Sequence, residues 1–296
     1  MLILGAQILL GFEYRAVFEK QFEFLPASSR HLQLIGLSIL LVAIALIMAP
    51  GAYHRIVFRG EDCPDVHTFT SRVMDIALLP FLAALGIDLY IMLGRFLGAR
   101  PAFIIAGLVS ALAALCWYGI EVIGHRRHWD KNIENDADGG GVKRMAQTPL
   151  RDRVEHVLTE ARVVLPGAQA LLGFQFITIL MEGFDKLPQA SKYVHAISLI
   201  VMAVTVILLM TPAAYHRMVE HGENTEHFHR VASALVVLAM IPLPIAIAGD
   251  FYVVMQKVTG SARFAMLASA AVLLFFYLLW FGFTTYRRRQ ILRKRA

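Results

Sequence analysis

Six polar side chains sit where the surrounding sequence is apolar: Asp88 and Asp250, Gln7 and Gln169, Glu13 and Gln175. Each aspartate falls about six residues before the end of a long apolar run, so at about 1.5 Å per helical residue its carboxylate lies roughly 9 Å inside that end. A carboxylate in lipid is costly unless paired or wetted, and is a functional candidate by default. Burial favours its protonated form, which is what a proton carrier needs. The plainer reading is a helix-end residue hydrogen-bonded to a neighbouring span. Gln7 and Gln169 are flanked by Gly5 and Gly11, and by Gly167 and Gly173. Small residues let helices approach, and an amide among them can bond across the contact. Packing is therefore their first reading, and coordination of a substrate or ion the second. Glu13 puts a charge near mid-span where the second copy has neutral Gln175, and Arg15 follows two residues later. Either Arg15 pairs with Asp88, leaving Asp250 the freer carboxylate, or the first span is short and tilted and both charges snorkel outward.

A second constellation closes two other apolar runs: "PGAYHR" from Pro50 and "PAAYHR" from Pro212. Tyr53 and Tyr215 suit an aromatic belt at a membrane interface, and Arg55 and Arg217 suit cytoplasmic anchors. That leaves His54 and His216, each followed thirteen residues on by another histidine, His67 and His229. Two facing imidazoles can ligate haem iron, or bind zinc with Cys63, Asp65 or Glu61. Against this, Cys63 is replaced by Thr225 in the second copy, and no Cys-x-x-Cys motif occurs. No cofactor is expected, with haem or zinc as the alternative. Histidine also titrates near neutral pH, so a pH-sensing role at this face stays open.

The elements that position these residues are spans. Hydrophobic residues make up 57% of the chain and charged ones 17%, with a mean hydropathy of +0.60. Soluble domains run at about 45–50% and 25%. Apolar stretches near the roughly 20 residues needed to cross a bilayer occupy about 1–18, 31–50, 73–94, 102–123, 163–181, 193–213, 231–255 and 264–286. Runs such as "LIGLSILLVAIALIMAP" carry no polar face, which argues against a soluble bundle. The expectation is an all-α transmembrane fold of eight helices. The amino terminus reads as the first span rather than a cleaved signal. Lys and Arg collect in "YRRRQILRKRA" at the carboxyl end and in the central linker, which places both termini and the linker in the cytoplasm. The net charge of +6 follows from that topology and from anionic headgroups, so no nucleic-acid partner is needed. The two cysteines, Cys63 and Cys116, give no reason to expect a disulfide.

The chain also repeats itself. At an offset of 162 residues, "GAQILLGFEY" from Gly5 meets "GAQALLGFQF" from Gly167, His67 meets His229, Pro80 meets Pro242, Asp88 meets Asp250 and Tyr90 meets Tyr252. Each unit has four spans, an even number, so the repeats are parallel rather than inverted. The expected organisation is a first four-helix repeat over 1–123, a cytoplasmic linker over 124–162, a second repeat over 163–286 and a basic tail over 287–296. In the linker, Thr148 caps a helix with Pro149 in its first turn. Its apolar stripe, Leu150, Val154, Val157, Leu158 and Ala161, suits the inner membrane surface.

A Gly-x-Gln-x-Leu-x-x-Phe first span, a Pro-x-Ala-Tyr-His-Arg ending to the second and an Asp late in the third resemble a family of small four-span bacterial membrane proteins filed as a domain of unknown function. Some members carry a sodium/proton antiporter label. The resemblance implies two such domains in tandem in the bacterial cytoplasmic membrane. No hydrolase elbow, Walker loop or dinucleotide fingerprint appears, so enzymatic chemistry of a soluble type is not expected. The leading expectation is a transporter or channel for H+ or Na+. The alternatives are a redox or assembly subunit that binds haem or quinone, and a scaffold in a larger membrane complex. Membrane lipid is the expected partner, with self-association or a larger assembly also open.

Overall fold

The computed structural model describes residues 2–56, 64–119, 150–218, 220, 225–283, 285, 286, 289, 290 and 293. Every regular element among them is helical. Unit one comprises α1 (Leu2–Val17), a 3-10 turn at Lys20–Phe22, α2 (Ala27–Ile56), α3 (Pro64–Leu97) and α4 (Ala99–Ala114). Unit two comprises α5 (Leu150–Leu180), the single turn α6 (Glu182–Asp185), α7 (Gln189–Met218), α8 (Glu226–Ala239), α9 (Pro242–Thr259) and α10 (Ala262–Tyr277). Both last helices widen into a π-type turn, at Leu115–Gly119 and Leu278–Phe283.

With α8 and α9 taken as one, and α4 and α10 continued through their π-type turns, seven of these helices are long and apolar enough to cross a membrane. The expected eighth, α1, has only 16 residues, short of the roughly 20 that a bilayer requires.

Local chemistry repeats with the sequence. The turn from the third to the fourth helix passes through Gly98 (φ 88°) in unit one and Gly260 (φ 69°) in unit two, a backbone region that side chains with a Cβ rarely occupy. The units part at the middle of the third helix. Pro80 lies inside an unbroken α3, whereas the helix stops at Met240 before Pro242. A second proline, Pro244, stands where unit one has Leu82. Two prolines remove two backbone donors from adjacent rungs, which one proline does not. Thr225 caps α8 by accepting the Phe228 backbone N–H at 3.0 Å.

The units join through their first helices. Gly5 closes on the Gln169 amide and Phe12 on Gly173, with the Phe12 and Phe174 rings 4.2 Å apart. Residue numbers rise together along this contact, so α1 and α5 run parallel. The centre of the molecule is α7, which packs on α3, α4, α5, α8 and α9. Its most apolar stretch is 72% buried, against 33% for its counterpart α2. Trp117 at the end of unit one is buried and donates its indole N–H to the Ile207 carbonyl of α7 at 3.3 Å.

Two sequence expectations change here. The stripe Val154, Val157, Leu158 and Ala161 does not lie on a membrane surface: it is buried against Tyr215, Phe228, Ala232 and Val236 of α7 and α8, and α5 continues unbroken through Pro166. Arg153 also pairs with Glu226 across this contact. Tyr215 belongs to the same cluster and is 3% exposed, so it serves as a core residue rather than an interfacial belt. Thr148 and Pro149 lie outside the described residues.

Candidate functional site

Glu13 sits on α1 in register with Ala6, Leu9 and Ala16, all buried. That spacing of three and four residues is one helix face, so the fold that buries the apolar stripe buries the acid with it. Asp88 occupies the same kind of position on α3, in line with Phe81, Leu85 and Met92, and Gln33 lies seven residues before buried Leu40 on α2. The three meet. Gln33 Nε2 donates to Asp88 Oδ1 at 2.9 Å. The carboxyl groups of Glu13 and Asp88 lie within hydrogen-bonding reach of each other, and neither Glu13 oxygen has another partner among the described residues. Exposure is 2% for Glu13 and 0% for Gln33 and Asp88. Two carboxyl oxygens are both acceptors, so their contact is attractive only with a proton between them.

The same three positions in unit two, 162 residues on, are Gln175, His195 and Asp250, and they meet as well. Gln175 Nε2 donates to Asp250 Oδ2 at 2.7 Å, and His195 Nδ1 lies 3.4 Å from Asp250 Oδ1. His195 Nε2 is 3.0 Å from the Gln175 backbone carbonyl. A carbonyl only accepts, so that contact puts a proton on Nε2 and leaves Nδ1 facing the carboxylate. Here too the contact between the two groups requires one proton between two acceptors. Each unit thus brings three polar side chains together from its first three helices, and a glutamine amide holds one carboxyl in place.

The turn at α6 roofs the second triad. Phe184 lies edge-on to His195 at 5.4 Å and to Phe96 of unit one at 5.8 Å. Arg95 at the end of α3 donates to the Ile179 carbonyl and holds both Asp185 carboxylate oxygens at 2.8 Å. Its counterpart Lys257 donates to the Gly183 carbonyl at 3.0 Å. Lys20 adds a pair to Glu182 at 2.7 Å, and this pair holds the Glu182 carboxyl below its ordinary range and raises the Lys20 ammonium.

Four of the six sequence candidates are therefore brought together two by two: Glu13 with Asp88, and Gln175 with Asp250. Arg15 does not pair with Asp88. It pairs with Glu19 at 2.8 Å and is 61% exposed, because two residues beyond Glu13 is about 200° around the helix. Nor does Glu13 snorkel. Gln169 is fully buried against Gly5, with neither amide atom partnered among the described residues, while Gln7 is exposed and reaches only Met48 Sδ at 3.9 Å. The sequence reading missed Gln33 and His195. The signal was present, since the repeat offset aligns one polar residue with another inside apolar surroundings, but only identical pairs stand out in an alignment.

At the opposite end of the bundle, the side chains of His54, Arg55 and His67 lie outside the described residues. The His216 ring lies tilted against Phe228, centroids 4.6 Å apart, and His229 lies in the first turn of α8. His227 rather than either of them faces the Tyr215 hydroxyl at 3.1 Å and Glu220 at 3.6 Å. Arg217 lines a cavity. Among the described residues, no three His, Cys, Asp or Glu side chains converge as metal ligands.

Fold and site together define an all-helical tandem-repeat protein of long apolar helices, with one polar triad in each repeat, buried in the first and partly exposed at Asp250 in the second. Within that class, the chain belongs to DUF6328, a family of unknown function, whose model matches residues 1–121 and again residues 146–284. No curated protein and no solved structure matches it.

Proposed function

We infer that this is a multi-pass membrane protein that moves protons, or a cation exchanged for protons, across the bacterial cytoplasmic membrane. The two triads are its proton-holding stations. The observation that carries this reading is the buried contact of the Glu13 and Asp88 carboxyl groups, with no basic side chain among the described residues paired to either. A buried acidic pair of this kind is expensive in a helix bundle. A second contact of this kind in unit two, His195 with Asp250, supports a use beyond packing: each unit sets a second titratable group against its aspartate, although that group stands at the Glu13 position in unit one and at the Gln33 position in unit two.

The two stations differ in access. The Asp250 side chain is 25% exposed, so this carboxyl exchanges its proton with the exterior first. Asp88 is sealed, and its pair opens only when α1, α2 and α3 separate. Both slots lie toward the end that bears the α1–α2 and α5–α7 turns. The helix ends that lead into the basic linker and tail, at Gly119, Leu150 and Phe283, lie at the other end, which the positive-inside rule assigns to the cytoplasm together with both termini.

The test is flux through purified protein in proteoliposomes under an imposed proton or sodium gradient. Asp250→Asn and Asp88→Asn keep the side-chain volume and remove the proton site, so each lowers flux, and the double variant abolishes it. A double variant that conducts like the wild type overturns the reading.

A further inference from the structure

The inner end of the bundle contains a cavity that the triads do not use. It measures about 310 Å³ and lies where α3 of unit one meets α5 and α7 of unit two. Its wall is apolar along Leu78, Leu165, Leu209 and Ala213, and its polar groups are Arg162, Arg217 and Asp75. Arg162 is exposed and Arg217 half-buried. The guanidinium groups are close enough to repel one another, with Asp75 also acting on Arg217. Among the described lining residues this sets two positive charges against one negative, beside a greasy wall. The volume is at the low end of the range of about 300–1,000 Å³ usual for ligand sites, which suits part of a larger molecule better than the whole of one.

The helix positions explain the arrangement. Arg162 follows Leu158 by one turn of α5 and precedes Leu165 by another, and Arg217 stands one turn beyond Ala213 on α7. Arg217 therefore ends a stripe of apolar wall, and Arg162, which is exposed, interrupts one between Leu158 and Leu165. An occupant must be anionic at the rim and apolar below it. A basic recess between helices at the cytoplasmic end of a membrane protein fits an anionic lipid headgroup, with the first length of an acyl chain against the leucines.

We propose that Arg162 and Arg217 form a binding site for an anionic phospholipid of the cytoplasmic leaflet, its phosphate held between the two guanidinium groups and its chain lying along Leu165, Leu209 and Leu78. Because the cavity spans both units, a bound lipid cements α3 to α5 and α7. The inference rests on the chain lying in a bilayer, but not on proton movement: loss of flux in the aspartate variants and loss of lipid here are separate outcomes.

The experiment uses the full chain purified in detergent and delipidated. Its thermal midpoint is measured with added phosphatidylglycerol, with phosphatidylcholine and with inorganic phosphate at equal concentration, and retained lipid is read by native mass spectrometry. The delipidated wild type is expected to gain stability from phosphatidylglycerol alone and, once loaded, to hold that lipid through a further detergent wash. Arg162→Gln with Arg217→Gln loses both effects, while Arg162→Lys with Arg217→Lys keeps part of them, which separates a lost site from a misfolded protein. An equal gain from inorganic phosphate makes this a free-anion site and overturns the lipid assignment. An equal gain from phosphatidylcholine, or an undiminished gain in the double glutamine variant, makes it bulk solvation and overturns the site itself.

Discussion

Unit one closes its triad with two acids and an amide, and unit two with an acid, an amide and an imidazole, at positions 162 residues apart. With one proton in each slot, the histidine and Asp250 make a neutral pair, whereas Glu13 and Asp88 keep one net negative charge that the Gln33 amide faces at 2.9 Å. Donor and acceptor have changed places: the amide comes from the second helix in unit one, Gln33, and from the first in unit two, Gln175, so the meeting of three polar groups survives while their roles move. The packing beside it shows the same freedom. Gly36 lies against Ile87 in unit one, and Ser198 lies against Gly249 in unit two, so the small residue has moved from the second helix to the third.

The largest effect on stability is expected at His195. His195→Ala strands Asp250 beside an empty place. Removing one partner of a buried pair costs about 3–5 kcal/mol, and partial exposure of Asp250 reduces this to about 2–3 kcal/mol. His195→Gln writes the unit-one residue into unit two, and an amide that still donates to Asp250 recovers most of the loss. Chemical unfolding in detergent reads both. If Gln is as damaging as Ala, the two triads are not interchangeable and the comparison fails.

Next is the exchange of small residues. A Cβ on Gly249 falls 1.9 Å from Ser198 Oγ, a hydroxyl that donates to the Val194 carbonyl at 3.0 Å. Gly249→Ala is expected to cost about 1–2 kcal/mol through overpacking, and Ser198→Gly in the same chain to restore it. A double variant no more stable than the single one would show that this contact does not set the spacing of α7 and α9.

Smaller still is Glu13→Gln, which gives unit one the amide found at Gln175. The side chain keeps its volume, so stability changes by less than about 1 kcal/mol. Its signature is spectroscopic: the infrared band of a protonated carboxyl disappears with the shared proton. Persistence of that band in the variant places the proton elsewhere. Smallest is Lys20→Gln at the surface pair with Glu182. Because the Glu182 carboxyl is held below its ordinary value, the pair contributes above the usual carboxylate range, near 4.3, and its contribution fades as pH falls through the lowered value. The variant should therefore melt slightly below the wild type at neutral pH and low salt, and level with it in acid or in high salt.

Much of the architecture was legible in the residues. Hydropathy marked eight apolar runs, seven of which are helices long enough to cross a membrane, and the fixed offset tied Pro80 to Pro242, Asp88 to Asp250 and Tyr90 to Tyr252. Two of the three members of each triad were legible too, since Glu13 and Asp88 are charges amid apolar neighbours and the offset carries them to Gln175 and Asp250. Gln33 and His195 were not, because a neutral amide and an imidazole attract no attention until a carboxylate is seen beside them. Arg15 misled for a related reason: nearness in sequence to Glu13 says nothing of direction around the helix until the buried face is known. The stripe on α5 was visible, but not its partner, because amphipathicity states that a face must be covered and not by what.

Sequence alone determined that the chain forms long apolar helices and that it does so twice, because hydropathy and repetition are properties of the chain taken locally. The pairing of faces was decided only in three dimensions: that α1 lies along α5, that α7 takes the centre, and that an acid, an amide and a third polar group from three helices converge in each unit. The physical reason is the composition itself. When nearly every side chain on a helix is apolar, hydropathy does not distinguish the face that meets lipid from the face that meets protein, and that choice falls to the fit of glycines, rings and a few buried polar groups against their neighbours.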